Sequence, residues 1–271
     1  MYDYHGQCDL VYTTCPKFDN NKGFHLHIRT QFVQPRMWST ISSIAVKIGD
    51  DVFEVHDNYS LLGKENDSVN YYLNGESNVE LTDATNLAGH ALTKRVEEKW
   101  TYYSIDLGNN VSLEIKLKRH LRRVAFRFLG VHYHRANGGN LFEDCVGLSS
   151  TWEHPEGEKF LVSRTGMNYA KHEAVDFGPE WQVDFSKGDP SLFFDKDAGH
   201  QLPHQECLQS PLQAKDQRHL KNLVDSDGGA LARQAEEVCS NLKGRGDCYD
   251  ACFFDVLVTG NVTYAEEHEE W

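Results

Sequence analysis

Histidines occur in two pairs spaced two apart, His25-Leu26-His27 and His132-Tyr133-His134. On a strand each pair would share one face, a geometry open to zinc. With 14 histidines in the chain such pairs arise by chance, and the favoured reading is polar positions on the solvated face of a sheet. Lys116, Lys118, Arg119, Arg122, Arg123 and Arg127 form a basic cluster. It could meet sulphated or carboxylated polysaccharide through charge-assisted contacts, with Lys118, Arg119, Arg122 and Arg123 as the candidate residues. The competing reading is a solubilising hairpin turn. Asp195-Lys-Asp197-Ala-Gly199, with Glu206 at the twelfth position, mimics a calcium loop. His200 holds the sixth position, where such a loop needs glycine, and Pro203 breaks its exit, so the likeness is accidental. Asn58, Asn66, Asn110 and Asn261 head Asn-X-Ser/Thr triplets and are candidate glycosylation sites. The chain has no Gly-x-Ser-x-Gly, phosphate loop, His-Glu-x-x-His or dinucleotide fingerprint. No catalytic or metal-ligating residue is therefore assigned, and an enzyme is not expected. Paired carboxylates need only spatial proximity, which keeps a hydrolase as a third reading.

Most of the elements that would carry these groups read as strands. Phe24, Leu26, Ile28 and Phe32 alternate with His25, His27, Arg29 and Gln31. Ile44, Val46 and Ile48 lead through Gly49-Asp50-Asp51 to Val52–Val55, a hairpin signal that Asn74-Gly75 repeats. Gly108-Asn109-Asn110 opens Val111, Leu113, Ile115 and Leu117, and a polar connection leads on to Val124, Phe126, Phe128, Val131 and Tyr133. Short strands with turns at this spacing, and no β-α-β alternation, predict an antiparallel β-sandwich over residues 1–208. Past residue 208 the period changes. Leu231, Ala235, Val238 and Leu242 are spaced as on a helix, with Asp227 as N-cap and Gly244 as C-cap. Asp247 would cap a second helix bearing Cys248 and Cys252 one turn apart. A small α-helical cysteine-containing annex over 209–271 is expected, hinged in the polar stretch Gln209–Gly229.

Composition narrows the partners. The 271 residues carry 27 Lys+Arg against 41 Asp+Glu, a net charge of −14, which excludes nucleic acid as a partner. The longest apolar stretches, such as Ala251–Phe254, fall far below the roughly 20 residues of a membrane span, so no membrane insertion is expected. Seven scattered cysteines without a Cys-x-x-Cys disfavour zinc and thioredoxin-like chemistry and point to an oxidising compartment. The first residues lack the basic and apolar regions of a secretory signal, which is expected upstream of this start.

Four ordered segments add a resemblance. Tyr4-His-Gly-Gln-Cys8-Asp-Leu-Val11, Cys145-Val-Gly-Leu148, Phe177-Gly-Pro-Glu-Trp-Gln-Val183 and Cys252-Phe-Phe-Asp255-Val256 resemble the von Willebrand factor type D domain and the cysteine-rich helical module that follows it. Uncharacterised secreted algal proteins built on that domain are similar. The resemblance implies a β-sandwich, an extracellular or cell-surface location, and a role in adhesion or assembly with other extracellular proteins or with a second copy of itself. It also implies that a Gly-Asp-Pro-His strand precedes this start, and its loss would leave an open sheet edge. Gly188-Asp-Pro-Ser191 lies in the wrong place and lacks the histidine to stand for it.

The family's positions imply the pairs Cys8–Cys207 and Cys15–Cys145. In the annex Cys239 with Cys252 is the favoured bond, although Cys239 with Cys248 has workable spacing, and Cys248 is the candidate free or inter-chain thiol. Many members of the family bind calcium after the Cys-Gly-Leu-Cys run, where this chain offers Glu153, Glu156 and Glu158. Calcium needs 6–8 oxygens, and three carboxylates on a loop more often form a solvated face, so calcium is the one candidate cofactor and none is expected to act. The leading functional expectation is a non-enzymatic extracellular structural or adhesive module; the alternative is a carbohydrate-binding module for acidic polysaccharide. Millimolar calcium is accordingly expected to leave the melting temperature where ionic strength alone puts it. A saturable rise abolished by Glu153→Gln would overturn that expectation.

Overall fold

The structure is a computed structural model. It describes residues 6–33, 38–56, 70–97, 100–118, 129–135, 144–149, 151–153, 159–170, 173–194, 207–209, 229–244, 247–260, 262 and 265. The chain begins with β1 (Gly6–Gln7) and continues into β2 (Asp9–Cys15), β3 (Phe24–Val33), β4 (Trp38–Ile48), β5 (Asp51–His56), β6 (Asn70–Leu73) and β7 (Glu76–Ser77). β2 to β7 pair in sequence order as a six-stranded antiparallel sheet. β8 (Asn86–Leu87), β9 (His90–Glu97), β10 (Trp100–Gly108), β11 (Val111–Lys118) and β12 (Leu129–Arg135) form a second, five-stranded sheet. Phe24, Leu26, Ile44, Val46 and Phe53 from the first sheet meet Leu92, Tyr103, Ile105, Leu113 and Ile115 from the second in one buried core. The protein is thus mainly β, an antiparallel sandwich, and the period-two alternation of the sequence is the cause. Val124–Phe128 lie outside the described residues.

Hairpins close where the side chains tolerate positive φ. Asn74 and Gly75 take φ of 53° and 84° between β6 and β7, and Asn109 and Asn110 take 53° and 58° between β10 and β11. The connection from β2 to β3 is less regular. Asp19, Asn20 and Asn21 are all left-handed, and Asp19 is held by Lys22 at 2.6 Å and by His90 at 3.2 Å. β13 (Thr151–Glu153), β14 (Lys159–Val162) and β15 (Asn168–Tyr169) make a three-stranded sheet. Helix α1 (Ala174–Glu180) follows, unforeseen in the sequence because Gly178 and Pro179 interrupt it. β16 (Leu208–Gln209) returns to β1, pairing Gly6 with Gln209 and Gln7 with Leu208.

β2 organises this part of the chain. One edge pairs with β3, with a bulge between Val11 and Thr13 that leaves Tyr12 without a partner in that ladder. The other edge is closed by two segments that are not sheet strands. Val146 exchanges both backbone hydrogen bonds with Thr14, at 2.7 and 2.9 Å, while the Leu148 and Ser149 N–H groups donate to the carbonyls of Val11 and Tyr12. Farther along, the Val11 N–H donates to Trp181 O at 2.8 Å and the Val183 N–H to Asp9 O at 2.9 Å. Gly147 stands directly against the bulge. A Cβ there would lie 2.5 Å from the Tyr12 carbonyl oxygen, and its φ of 140° is open to glycine alone.

Past residue 229 the helical annex has its own apolar cluster. Helix α2 (Ala230–Val238) places Ala232 and Ala235 inward, and helix α3 (Asp247–Thr259) answers with Cys252, Val256 and Leu257. Gly229, not Asp227, precedes α2, and Asp227 lies outside the described residues. A single tight turn, Ser240–Leu242, continues beyond α2 before the chain reverses at Gly244, whose φ is 102°.

Gly147→Ala should lower the free energy of unfolding by at least about 2 kcal/mol in denaturant titration, because backbone rather than a flexible side chain fills the space. A variant as stable as the parent would show that the Cys145–Ser149 segment does not clamp β2.

Candidate functional site

Among the described residues, a dense group of reactive side chains lies on the outer face of the six-stranded sheet. Alternation puts His25, His27 and Arg29 of β3 there, together with Ser43 and Ala45 of β4 and Val52, Glu54 and His56 of β5. Register then sets them in rows. Asp9, Arg29, Ser43 and His56 are successive cross-strand partners, and His27, Ala45 and Glu54 form the next row. Such a face would ordinarily be wet. Here the chain after Gly188 crosses it, and Leu192 and Phe193 pack on Ala45 and Val52.

Each charge under this cover has a partner. Arg29 donates from Nε and Nη2 to the two carboxylate oxygens of Asp9 at 2.6 and 2.8 Å, and the Phe193 ring sits 4.4 Å from its guanidinium carbon. The Phe194 N–H donates to Glu54 Oε2 at 2.7 Å. Ser43 Oγ lies 2.9 Å from His56 Nδ1, and His56 Nε2 lies 2.5 Å from Glu54 Oε1. Hydroxyl, imidazole and carboxylate in this order are the parts of a serine hydrolase. Two observations argue against that use. The His56–Glu54 contact, though close, lacks hydrogen-bond alignment in this structure. Ser43, His56 and Glu54 are also only 1%, 3% and 0% exposed, which leaves a substrate no approach. The arrangement ties β4 to β5 and to the cover.

His27 corrects the sequence reading of a solvated pair. It is 1% exposed, and neither ring nitrogen has a hydrogen-bond partner. Burial, reinforced by the nearby His25 and Arg164 and opposed by Asp189, lowers its pKa to about 3. His25 is half-buried, with Nδ1 2.8 Å from Thr14 Oγ1, and its pKa is lowered by burial and by Lys47 against the pull of Asp189. For His132 and His134 the structure describes only the strand. Among the described residues no three His, Cys, Asp or Glu side chains lie together as a metal site.

The remaining candidates are dispersed. Lys116 points away from the core yet is buried, its ammonium 4.2 Å from the Trp100 ring and 5.8 Å from that of Tyr102. Arg95 lies 4.2 Å over the other side of the same group, at Tyr102, and contacts Glu97 and Glu114. Lys118 ends β11, while Arg119, Arg122 and Arg123 lie outside the described residues. Glu153 closes β13 opposite Lys159; Glu156, Glu158 and the Asp195–Glu206 loop are also outside. Asn110 is an exposed hairpin residue, and Asn58, Asn66 and Asn261 are not described. Three cystines are present: Cys8–Cys207, Cys15–Cys145 and Cys239–Cys252, with Cα separations of 4.9, 4.3 and 5.9 Å. These are the pairs set out above, with the annex alternative through Cys248 not taken.

Because His27 stays neutral down to about pH 3 while an unfolded imidazole titrates near 6.5, the unfolded chain binds one more proton between those values. Stability should therefore fall as pH drops through this window, by about 3 kcal/mol at pH 4 from His27 alone. His27→Leu removes a buried polar ring and should flatten that slope without loss of stability at pH 7. An unchanged slope in urea titrations at pH 4 and 7 would assign the acid sensitivity elsewhere.

The chain matches no protein-family model and no curated protein sequence.

Proposed function

We propose that this chain is a non-catalytic extracellular module, of the von Willebrand factor type D kind, that serves protein–protein assembly at a cell surface or in a matrix. The observation that carries the reading is the cysteine inventory. Six of the seven cysteines are joined within the chain, so Cys248, in the first turn of α3, has no intrachain cysteine left to pair with. An odd thiol in an otherwise oxidised protein suits a covalent link to a second chain. The buried Ser43–His56–Glu54 group supports the non-catalytic part, since this hydrolase-like arrangement among the described residues is used for packing. The four motif segments support the family reading: Cys8, Cys145–Leu148 and Trp181–Val183 converge on β2, and Cys252 closes the annex. No helix among the described residues is long and apolar enough to cross a membrane.

The protein produced through a secretory pathway should run as a disulfide-linked dimer without reductant. Cys248→Ser should convert it to monomer, while Arg119, Arg122 and Arg123 changed together to Ser should leave assembly intact. A monomeric parent with Cys248 quantitatively alkylated would sink the inter-chain link. Retention on a sulphated-glycan column that the triple Ser variant loses would replace assembly by polysaccharide binding as the function.

A further inference from the structure

The long-range cystines are nested. Cys8–Cys207 spans 199 residues, and within it Cys15–Cys145 spans 130. Among the described residues, β1 and β16 are what lies outside Cys8 and Cys207 in the β unit, and they are antiparallel neighbours with Gly6 opposite Gln209. The chain therefore arrives at and leaves the sandwich side by side, with the two Cα atoms of the outer cystine 4.9 Å apart.

We infer that this unit is a load-bearing link in which tension bypasses the sandwich through the Cys8–Cys207 cystine. The inference deepens the assembly reading and rests on it for a source of tension. Pulling on the segments before β1 and after β16 peels their two residue pairs apart in sequence, the weakest loading geometry for an antiparallel ladder. The pull then meets a covalent bond. Everything between Cys8 and Cys207, including both large sheets, is a closed loop off the load path. Cys15–Cys145 adds a second stop, so losing the outer bond would release only the chain between the two loops. The annex lies outside this protection, and its Cys239–Cys252 bond shields only a 13-residue separation.

The test is single-molecule extension of the full chain between handles at its two ends. The oxidised protein should give no event larger than the annex and flanking chain can supply. Replacing Cys8 and Cys207 with Ala should add about 24 nm of contour, from the difference between separations of 199 and 130 residues at roughly 3.3–3.6 Å each. Replacing Cys15 and Cys145 as well should raise the gain to about 70 nm. If the variants do not fold, a reductant added to the parent held under tension gives the same gains in steps. A gain near 70 nm from the oxidised parent, or no gain on reduction, would overturn the bypass. Should the bypass hold in a protein that never forms multimers, the assembly reading fails and the load path stands.

Discussion

β2 has to be satisfied on an edge where no sheet strand lies, and most of the architecture follows from that constraint. An exposed edge would present its N–H and C=O groups to water or to another chain. The protein instead brings two distant segments, Cys145–Ser149 and Trp181–Val183, to take those hydrogen bonds. The bulge at Tyr12 dictates glycine at 147, because no side chain fits between that segment and the Tyr12 carbonyl. Trp181 is set in turn by its indole N–H on the Val162 carbonyl and by Arg164, whose guanidinium carbon is 5.1 Å from its ring. Arg164 also binds Asp189, which fixes the start of the segment that goes on to cover the outer face. The Trp181–Val183 half of the edge closure and the covering of the outer face are thus one continuous act of the chain from residue 181 to 194.

That cover explains why charged residues are buried beneath it. Removing one partner of a buried ion pair such as Asp9–Arg29 typically costs about 3–5 kcal/mol, whereas the intact pair contributes little net stability. Its value lies in alignment. A one-residue slip between β2 and β3 would move Arg29 to the core face and part it from Asp9. Ser43 on His56 does the same for β4 and β5. Polar partners on the covered face therefore fix register where apolar packing alone would accept neighbours of similar size.

The sandwich was legible because its alternation and its Asn- and Gly-bearing turns are local signals. Phe24, Leu26 and Ile28 announce one face without reference to anything distant. The outer face was not legible for the opposite reason. Ser43, Glu54 and His56 stand at outward positions of the alternation, which ordinarily face water, and what buries them is an irregular segment some 140 residues away whose path no local pattern encodes. Ala45 and Val52, small or apolar at outward positions beside them, were the available hint. His27 belongs to a spacing that is plain in the sequence, but the segment that buries it lies far along the chain and leaves no local trace. α1 escaped because Gly178 and Pro179 weaken the helical pattern. The two long-range cystine pairs came from the positions of the family the chain resembles, since spacing alone allows many connectivities among seven cysteines.

Nesting also sets a timetable for biosynthesis. At about 5–20 residues per second, Cys8 waits roughly 10–40 s after synthesis for Cys207 to be made, and Cys15 waits roughly 7–26 s for Cys145. During that interval the two thiols are seven residues apart on one emerging strand, free to oxidise with each other. A nascent chain that closes this small ring has joined both ends of β2 and cannot lie flat in the sheet. In an oxidising compartment the order in which cysteines leave the ribosome favours a wrong bond first, and a chain caught in it reaches the native pairs through thiol–disulfide exchange, so the yield of this protein there should depend on isomerase capacity.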